Sequence, residues 1–289
     1  MNVLSLFDGM SCGRIALQRA GVTVDTYYAS ELDKFAIKVT QANWPETVQL
    51  GDVTKWREWD IDWSSIDLLI GGSPCQGFSF AGKQLAFDDP RSALFFVYVD
   101  ILNHISEVNP NVKFLLENVK MKKEFIDVIT EYVGEEPTLI NSSLVSAQNR
   151  QRLYWSNMTI EQPQDRGVVL NDVLDTKVNI PNSEGWHRWF KEKKEFQLRK
   201  KYSVICNDGS TDKAICMTAR QYASWNGNFA IVSRVNEDLL YRNLTPIECE
   251  RLQTVPDNYT MDISNSQRYK MLGNGWTVDV IAHIFKGLL

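Results

Sequence analysis

The first 157 residues alternate short apolar runs with helix-period segments, and few folds satisfy that rhythm. Asn2–Leu6 predicts a first strand and Cys12–Ala20 a helix, closed by Gly21, a residue suited to the left-handed stop after a last turn. Further strands are expected at Thr26–Ala29, Val48–Leu50, Ile66–Ile70 and Lys113–Leu116, with Leu153–Trp155 closing the series. Helices are expected at Asp33–Asn43, Ser92–Val108 and Lys122–Val133. Strand and helix in alternation build a mostly parallel sheet covered by helices on both faces.

Near Met158 the rhythm stops. From there to Tyr241 the chain is richer in turns, aromatics and basic residues, and it reads as a separate small domain without clear helical order. Thr245-Pro246-Ile247-Glu248 is a good helix start, with a capping residue, a proline in the first turn and an acid three residues on. Thr277–Leu288 predicts a final helix that packs back on the first domain. The larger domain is therefore expected to be discontinuous, 1–157 and 242–289, with 158–241 inserted.

Composition removes several function classes. With 44% apolar and 23% charged residues the chain can bury a core and is not expected to be disordered. No apolar stretch approaches the roughly 20 residues of a membrane helix, and the N-terminus lacks the basic region and cleavage site of a signal peptide. A cytoplasmic protein with no membrane partner is expected. Cys12, Cys75, Cys206, Cys216 and Cys249 are an odd, scattered set without a C-x-x-C pair, so neither a zinc site nor a disulfide framework is expected. A net charge of -5 runs against a nucleic-acid binder. Residues 188–201, however, hold seven Lys/Arg against two Glu. That run is either a solvated amphipathic helix or a phosphate-facing surface, with Lys193 and Lys194 inside it.

Several short motifs carry chemistry. Phe7-Asp8-Gly9-Met10-Ser11-Cys12-Gly13 joins the first strand to the first helix, where glycines admit a ligand to the backbone and a helix N-terminus favours electron-rich groups. Dinucleotide sites, nucleotide sites and plain turns share that pattern, and it is not G-x-G-x-x-G. Glu31 ends the next strand, where an acid can hold ribose hydroxyls, although exposed strand-end acids are common. Asp52, after a third strand, can accept from an adenine amine. Gly71-Gly72-Ser73-Pro74-Cys75-Gln76-Gly77-Phe78-Ser79 follows an apolar strand and presents a cysteine in a bounded turn, a way to expose a thiolate at a sheet edge. Glu117 closes a strand at the same edge. Arg150 and Arg152, at spacing two on an extended segment, point to one face. Taken singly, such a pair is usually a solvated strand face, and Glu117-Asn118 is usually a turn.

Taken together and in order, these motifs, with Glu117-Asn118-Val119, Gln148-Asn149-Arg150-Gln151-Arg152 and Arg242-Asn243-Leu244-Thr245 through Arg251-Leu252-Gln253, resemble the DNA cytosine-5 methyltransferase family from one end of the chain to the other. The resemblance implies a Rossmann-like S-adenosylmethionine-dependent methyltransferase fold with a small target-recognition domain at 158–241. It also implies methyl transfer from S-adenosyl-L-methionine to C5 of a cytosine flipped out of double-stranded DNA. Cys75 would be the nucleophile at C6. Glu117 would meet N3 and the exocyclic amine, and Arg150 and Arg152 would hold the ring carbonyl and a phosphate, Arg152 meeting the base.

For the donor, the resemblance implies Phe7, Asp8, Gly9, Glu31, Asp52, Val53, Gly72, Pro74, Leu94, Asn274 and Trp276. Leu32 departs from the family by standing where many relatives carry a stacking aromatic. Trp276 departs from most bacterial members and is similar to the tryptophan of animal de novo enzymes; it reads either as a donor contact or as a core residue anchoring the final helix. Gln76–Asp89, with Gln76 and Lys83, is either a mobile loop closing on the flipped base or a plain surface loop, and Arg91 resembles the family's arginine that follows it. Gln76, Lys83, Arg91, Lys193, Lys194, Arg220 and Gln221 would contact DNA, the last two with donors suited to purine edges or to phosphates. The implied enzyme acts as a monomer, either beside a cognate restriction endonuclease or as an orphan or phage enzyme without one. Three other readings stay in view: a transfer-RNA cytosine-5 methyltransferase, a catalytically silent DNA-binding relative, and, more remotely, a nucleotide-binding oxidoreductase.

Overall fold

A computed structural model of the chain describes residues 1–73, 93–175, 204–206, 213–221, 227–235 and 238–289. Pro74, Cys75, Gln76, Lys83, Arg91, Lys193 and Lys194 lie outside the described residues. The chain divides into two compact units. The first comprises Met1–Asn141, Gln151–Pro163 and Val278–Leu289; the second comprises Ser142–Arg150 and Gln164–Thr277. These boundaries differ from those expected. Residues 142–150 and 242–277 group with the second unit, and 158–163 with the first.

The first unit is built on a seven-stranded sheet in the order β3-β2-β1-β4-β5-β7-β6. Its strands are β1 Asn2–Leu6, β2 Thr26–Ser30, β3 Val48–Gln49, β4 Ile66–Gly71, β5 Lys113–Val119, β6 Thr138–Asn141 and β7 Gln151–Ser156. All neighbouring pairs are parallel except those made by β7, which runs antiparallel to β5 and β6. The helices are α1 Cys12–Ala20, α2 Lys34–Asn43, α3 Ala93–Val108 and α4 Lys123–Val133. Strands β1 and β4 are buried along nearly their whole length, as interior parallel strands must be. Gly21 closes α1 at φ 82, in the left-handed conformation expected of it. Asp33 stands outside α2 as its N-cap, accepting from Phe35 N at 3.0 Å. Leu4, Leu6, Leu69, Phe95, Tyr98, Leu116 and Trp155 belong to one buried core.

Strand β6 escapes sequence reading because it is four residues long with only Ile140 buried, so it carries no alternation. Strand β5 runs three residues past the expected end and takes Glu117 and Asn118 into the ladder, where they pair with β7. The chain order turns back on itself between β1 and β4. In open α/β sheets a ligand crevice forms outside the carboxyl ends of the strands at such a point.

In the second unit, α5 Leu170–Val173, β8 Val204–Cys206, β9 Asn228–Val235 and β10 Asp238–Asn243 precede α6 Pro246–Leu252 and α7 Asn265–Asn274. Strands β8–β10 form a second sheet in the order β10-β9-β8. Helix α6 starts as the sequence predicts: Thr245 and Glu248 cap each other, with Pro246 in the first turn. Its Glu248 is fully buried and held by both Arg242 guanidinium nitrogens at 2.6 Å. The final helix, α8 Val278–Phe285, belongs to the first unit, packs on α1 and ends in a tighter turn, Lys286–Leu288. Among the described residues no helix is long and apolar enough to cross a membrane.

Candidate active site

The turn from β1 into α1 is a left-handed kink. Phe7, Gly9 and Ser11 have φ of 57, 61 and 60. Left-handed backbone costs a side-chain-bearing residue roughly 1–2 kcal/mol, so Phe7 and Ser11 hold this shape only because neighbours impose it. Asp8 is the clamp. Its carboxylate accepts from Ser5 Oγ at 2.6 Å, from Tyr27 Oη at 2.7 Å and from Ser11 Oγ, and its own N–H donates to Ser30 O at 3.1 Å. Burial raises the Asp8 pKa to about 6; the three hydroxyls oppose the rise and the Glu31 charge adds to it. Gly9 is required by its φ, since a Cβ there would meet nothing within 4 Å.

Glu31, just past β2, staples two loops. It accepts from Gly9 N at 2.8 Å and from Leu32 N and Asp33 N, both at 2.7 Å. A carboxylate offers about four acceptor positions, so one remains, on the oxygen that faces the β1–α1 turn. Leu32 beside it is 69% exposed. Asp52 caps the short helical turn Val53–Glu58, with one oxygen accepting from Thr54 N at 2.9 Å and Thr54 Oγ1 at 2.8 Å. These hydrogen bonds hold its pKa below the usual value. Val53 is buried in the core, and Leu94 packs against the same core from the first turn of α3. Gly71 ends β4 in a tight spot, 3.1 Å from Leu6 O and from the Tyr98 ring for any added Cβ. The turn thus offers one remaining acceptor position on Glu31, an exposed apolar side chain at Leu32 and a left-handed backbone.

Along the same edge, Glu117 of β5 pairs with Arg152 of β7, carboxylate oxygen to guanidinium Nε at 2.9 Å. The register sets Glu117 opposite Tyr154, so Arg152 lies two residues along on the same face. Asn118 donates to Ser73 Oγ at 3.2 Å, which fixes the residue just before Pro74-Cys75, and accepts from Val119 N at 2.8 Å.

Arg150 lies outside that strand pairing. Strand β7 begins at Gln151, and Arg150 belongs to the second unit, where it is 3% exposed. Its guanidinium donates to the carbonyls of Met217 at 3.1 Å, Gly273 at 3.3 Å and Gly275 at 2.9 Å, and to Cys216 Sγ at 3.4 Å. The expectation that it holds a ring carbonyl or a phosphate gives way to a bracing role, because its donors are committed to backbone. Gln148 and Gln253, motif residues without an assigned part, prove to be buried hubs. Gln148 accepts from Met217 N and donates to Leu252 O and Gln253 Oε1, while Gln253 donates to Leu272 O and Gly275 O and accepts from Thr277 Oγ1. Complete polar satisfaction of this kind was the signal available in the motifs, but the partners lie 19 to 105 residues away.

Lys213–Arg220, within the segment expected to be the target-recognition domain, is laced onto 142–150. Ala214 N donates to Ala147 O at 2.6 Å, Asn149 N to Ala214 O at 2.7 Å, and Lys213 Nζ to Ser143 O at 2.6 Å. Gly273 is obligatory beneath it: any Cβ there would overlap the backbone of Thr218 and Ala219. Arg220 is exposed, as a DNA contact must be, but Gln221 is 1% exposed and donates to Asn228 O at 3.0 Å. Gln221 is therefore corrected from base reader to internal brace. Replacing it with alanine is expected to cost about 1–2 kcal/mol of stability and leave the methylated motif unchanged, whereas Arg220→Ala shifts the motif. Denaturant midpoints together with methylation mapped over a random-sequence library check both. Asn274 is exposed and Trp276 half-buried.

The family described as C-5 cytosine-specific DNA methylase matches residues 1–289, the whole chain. The chain belongs to this family. This cytosine-5 DNA methylase is 32% identical to the type II methyltransferase M1.ScrFI of Lactococcus lactis subsp. cremoris over 99% of its own length and 77% of that relative's. It is 28% identical to the type II methyltransferase M.HhaI of Haemophilus parahaemolyticus over 98% and 93%. In fold, the methylase is similar to the Entamoeba histolytica methyltransferase EhMeth, with a TM-score of 0.77, 19% identity and coverage of 100% and 97% of the two chains. The Dnmt2 methyltransferase of S. pombe gives 0.70, 18% identity, and 99% and 97%. The methylase is an enzyme that uses S-adenosyl-L-methionine as methyl donor, on the Rossmann-like fold expected.

Proposed function

We propose that this methylase modifies a cytosine flipped out of a specific duplex sequence, through a covalent bond from Cys75 to C6. The observation that carries the reading is the Glu117–Arg152 pair at the carboxyl edge of the sheet, with Asn118 beside it holding Ser73 next to Pro74-Cys75. An acid and a guanidinium side by side match the N3 and O2 of a cytosine presented edge-on. Flipping the base costs roughly a few kcal/mol, recovered by such contacts.

Cytosine C5 is a poor nucleophile. Addition of the Cys75 thiolate at C6 makes the ring electron-rich at C5. Glu117 neutralises charge building on N3 with a proton, and Arg152 donates to the carbonyl oxygen O2. The donor, when bound, supplies a methyl group on a cationic sulfur, which leaves as a neutral thioether. Water takes the C5 proton, its electron pair re-forms the C5–C6 double bond, the Cys75–C6 bond breaks to release the thiolate, and N3 returns its proton to Glu117. Phe7, Asp8, Gly9, Glu31, Asp52, Val53, Gly72, Pro74, Leu94, Asn274 and Trp276 form the donor site in this reading. Gln76, Lys83, Arg91, Lys193, Lys194 and Arg220 contact DNA, with 158–241 as the recognition domain. The enzyme acts as a monomer, and a cognate restriction endonuclease is its natural counterpart.

The test is a duplex library carrying 5-fluorocytosine, incubated with the enzyme and donor. Fluorine cannot leave as a proton does, so a denaturation-resistant protein–duplex adduct is expected, with Cys75 as the modified residue by mass spectrometry. An adduct on a transfer-RNA transcript and none on duplex would move the substrate to RNA; modification of another residue would end the mechanism.

A further inference from the structure

Two carboxylates meet at the turn leaving β1, and among the described residues neither has a cationic partner. Glu31 is held by three backbone N–H groups. Asp8 is held by hydroxyls alone: Ser5 from β1, Tyr27 from β2 and Ser11 from the start of α1. Behind Ser11 stands Thr40 of α2, 2.9 Å from its hydroxyl. Of the groups facing Asp8, Tyr27 and Glu31 are titratable and Ser5, Ser11 and Thr40 are not. Burying a carboxylate without a counter-ion is unfavourable. A neutral amide of the same shape also binds hydroxyls, so tying the turn does not by itself require the charge.

We infer that Asp8 is a positioning residue for the methyl donor, its carboxylate locking the left-handed turn through three hydroxyls while setting a negative charge behind a cationic ligand. S-adenosylmethionine is such a ligand, with a sulfonium and an α-ammonium; the demethylated product keeps only the ammonium. The inference rests on reading this turn as the donor site.

The charge state follows from the geometry. Protonated Asp8 is neutral, and one of its three hydroxyls has to turn from donor to acceptor. With a midpoint of about 6 in the ligand-free protein, Asp8 is charged above that pH and neutral below it. A cation bound nearby favours the charged form and moves the midpoint down. Donor affinity is therefore full above pH 6 and falls as pH drops through it. Each pH unit of displacement corresponds to about a tenfold change in affinity. The product, with one positive charge fewer, responds less.

Calorimetry on the full chain tests this with S-adenosylmethionine and its demethylated product between pH 5 and 7.5. In the wild type, donor affinity is expected to fall about tenfold toward pH 5, and product affinity about threefold or less. Asp8→Asn is expected to flatten both profiles and reduce the preference for donor over product. Tyr27→Phe removes one donor to the carboxylate, so the pH of half-loss moves up, a response that a purely structural brace does not produce. Should Asp8→Asn fail to fold, the wild-type and Tyr27→Phe profiles decide. A flat wild-type profile overturns the inference. Glu31→Ala separates the two readings. If neither Glu31→Ala nor Asp8→Asn weakens donor binding, the turn is not the donor site. If Glu31→Ala weakens it while Asp8→Asn keeps the wild-type preference and pH profile, the role of Asp8 alone is overturned.

Discussion

Replacing Cys75 with serine is expected to lower methyl transfer by on the order of 10⁴-fold or more while leaving duplex and donor affinity within about threefold. The reason lies in the nucleophile. A free cysteine is a few per cent thiolate at neutral pH, and a neighbouring cation or helix start raises that fraction. A serine hydroxyl is essentially never ionised there, and no general base among the proposed residues is assigned to remove its proton. The change is one atom in size, so packing around Ser73 and Asn118, whose hydrogen bond fixes the approach to the loop, is not disturbed. Single-turnover methylation, with separate binding titrations of duplex and donor, makes the measurement. A serine variant within tenfold of wild type would end covalent catalysis through this residue.

The second large effect is on stability. Arg268→Ala is expected to destabilise the second unit by about 3–5 kcal/mol, the usual result of stripping a buried charge of its partner. Glu250 is fully buried and Arg268 is 8% exposed. The guanidinium donates to Glu250 at 3.0 Å through Nη2 and to Thr260 Oγ1 at 2.8 Å through Nε. Without it, Glu250 keeps, among the described residues, only neutral donors: Thr260 N at 2.9 Å, Thr260 Oγ1 at 2.5 Å and Asn258 N at 2.7 Å. A domain's whole stability is about 5–15 kcal/mol, so the variant should lose a large part of its denaturant midpoint. A midpoint change worth less than about 1 kcal/mol would mean that water reaches Glu250, since solvent-exposed pairs contribute only that much.

Sequence reading and structure agree most closely where structure is local. Strand β1, helix α1 and its Gly21 stop, and the Thr245-Pro246 start of α6 came out as predicted, because burial period, left-handed glycine and capping chemistry act within a few residues. The family-wide order of motifs was legible for the same reason: each motif is a short backbone device with its reactive side chain in place. Strand β6 was not legible, since a short strand with one buried residue has no period to detect.

The chain's own sequence thus determined the sheet-and-helix alternation, the places where loops leave the sheet, and the residue types offered there. Tertiary structure alone decided what each polar side chain does. Arg150 and Arg152 sit at the same spacing as any strand pair, yet β7 begins between them. One arginine braces carbonyls at residues 217, 273 and 275, and the other meets Glu117 through an antiparallel register. Gln221, expected to contact DNA, is buried on Asn228, and Asp8 becomes a half-buried acid because Tyr27 and two serines close around it. The physical reason is the same in each case. A side chain's rotamer and backbone preference are its own, but the partner that satisfies its charge or hydrogen bonds is delivered by folding from a distant part of the chain.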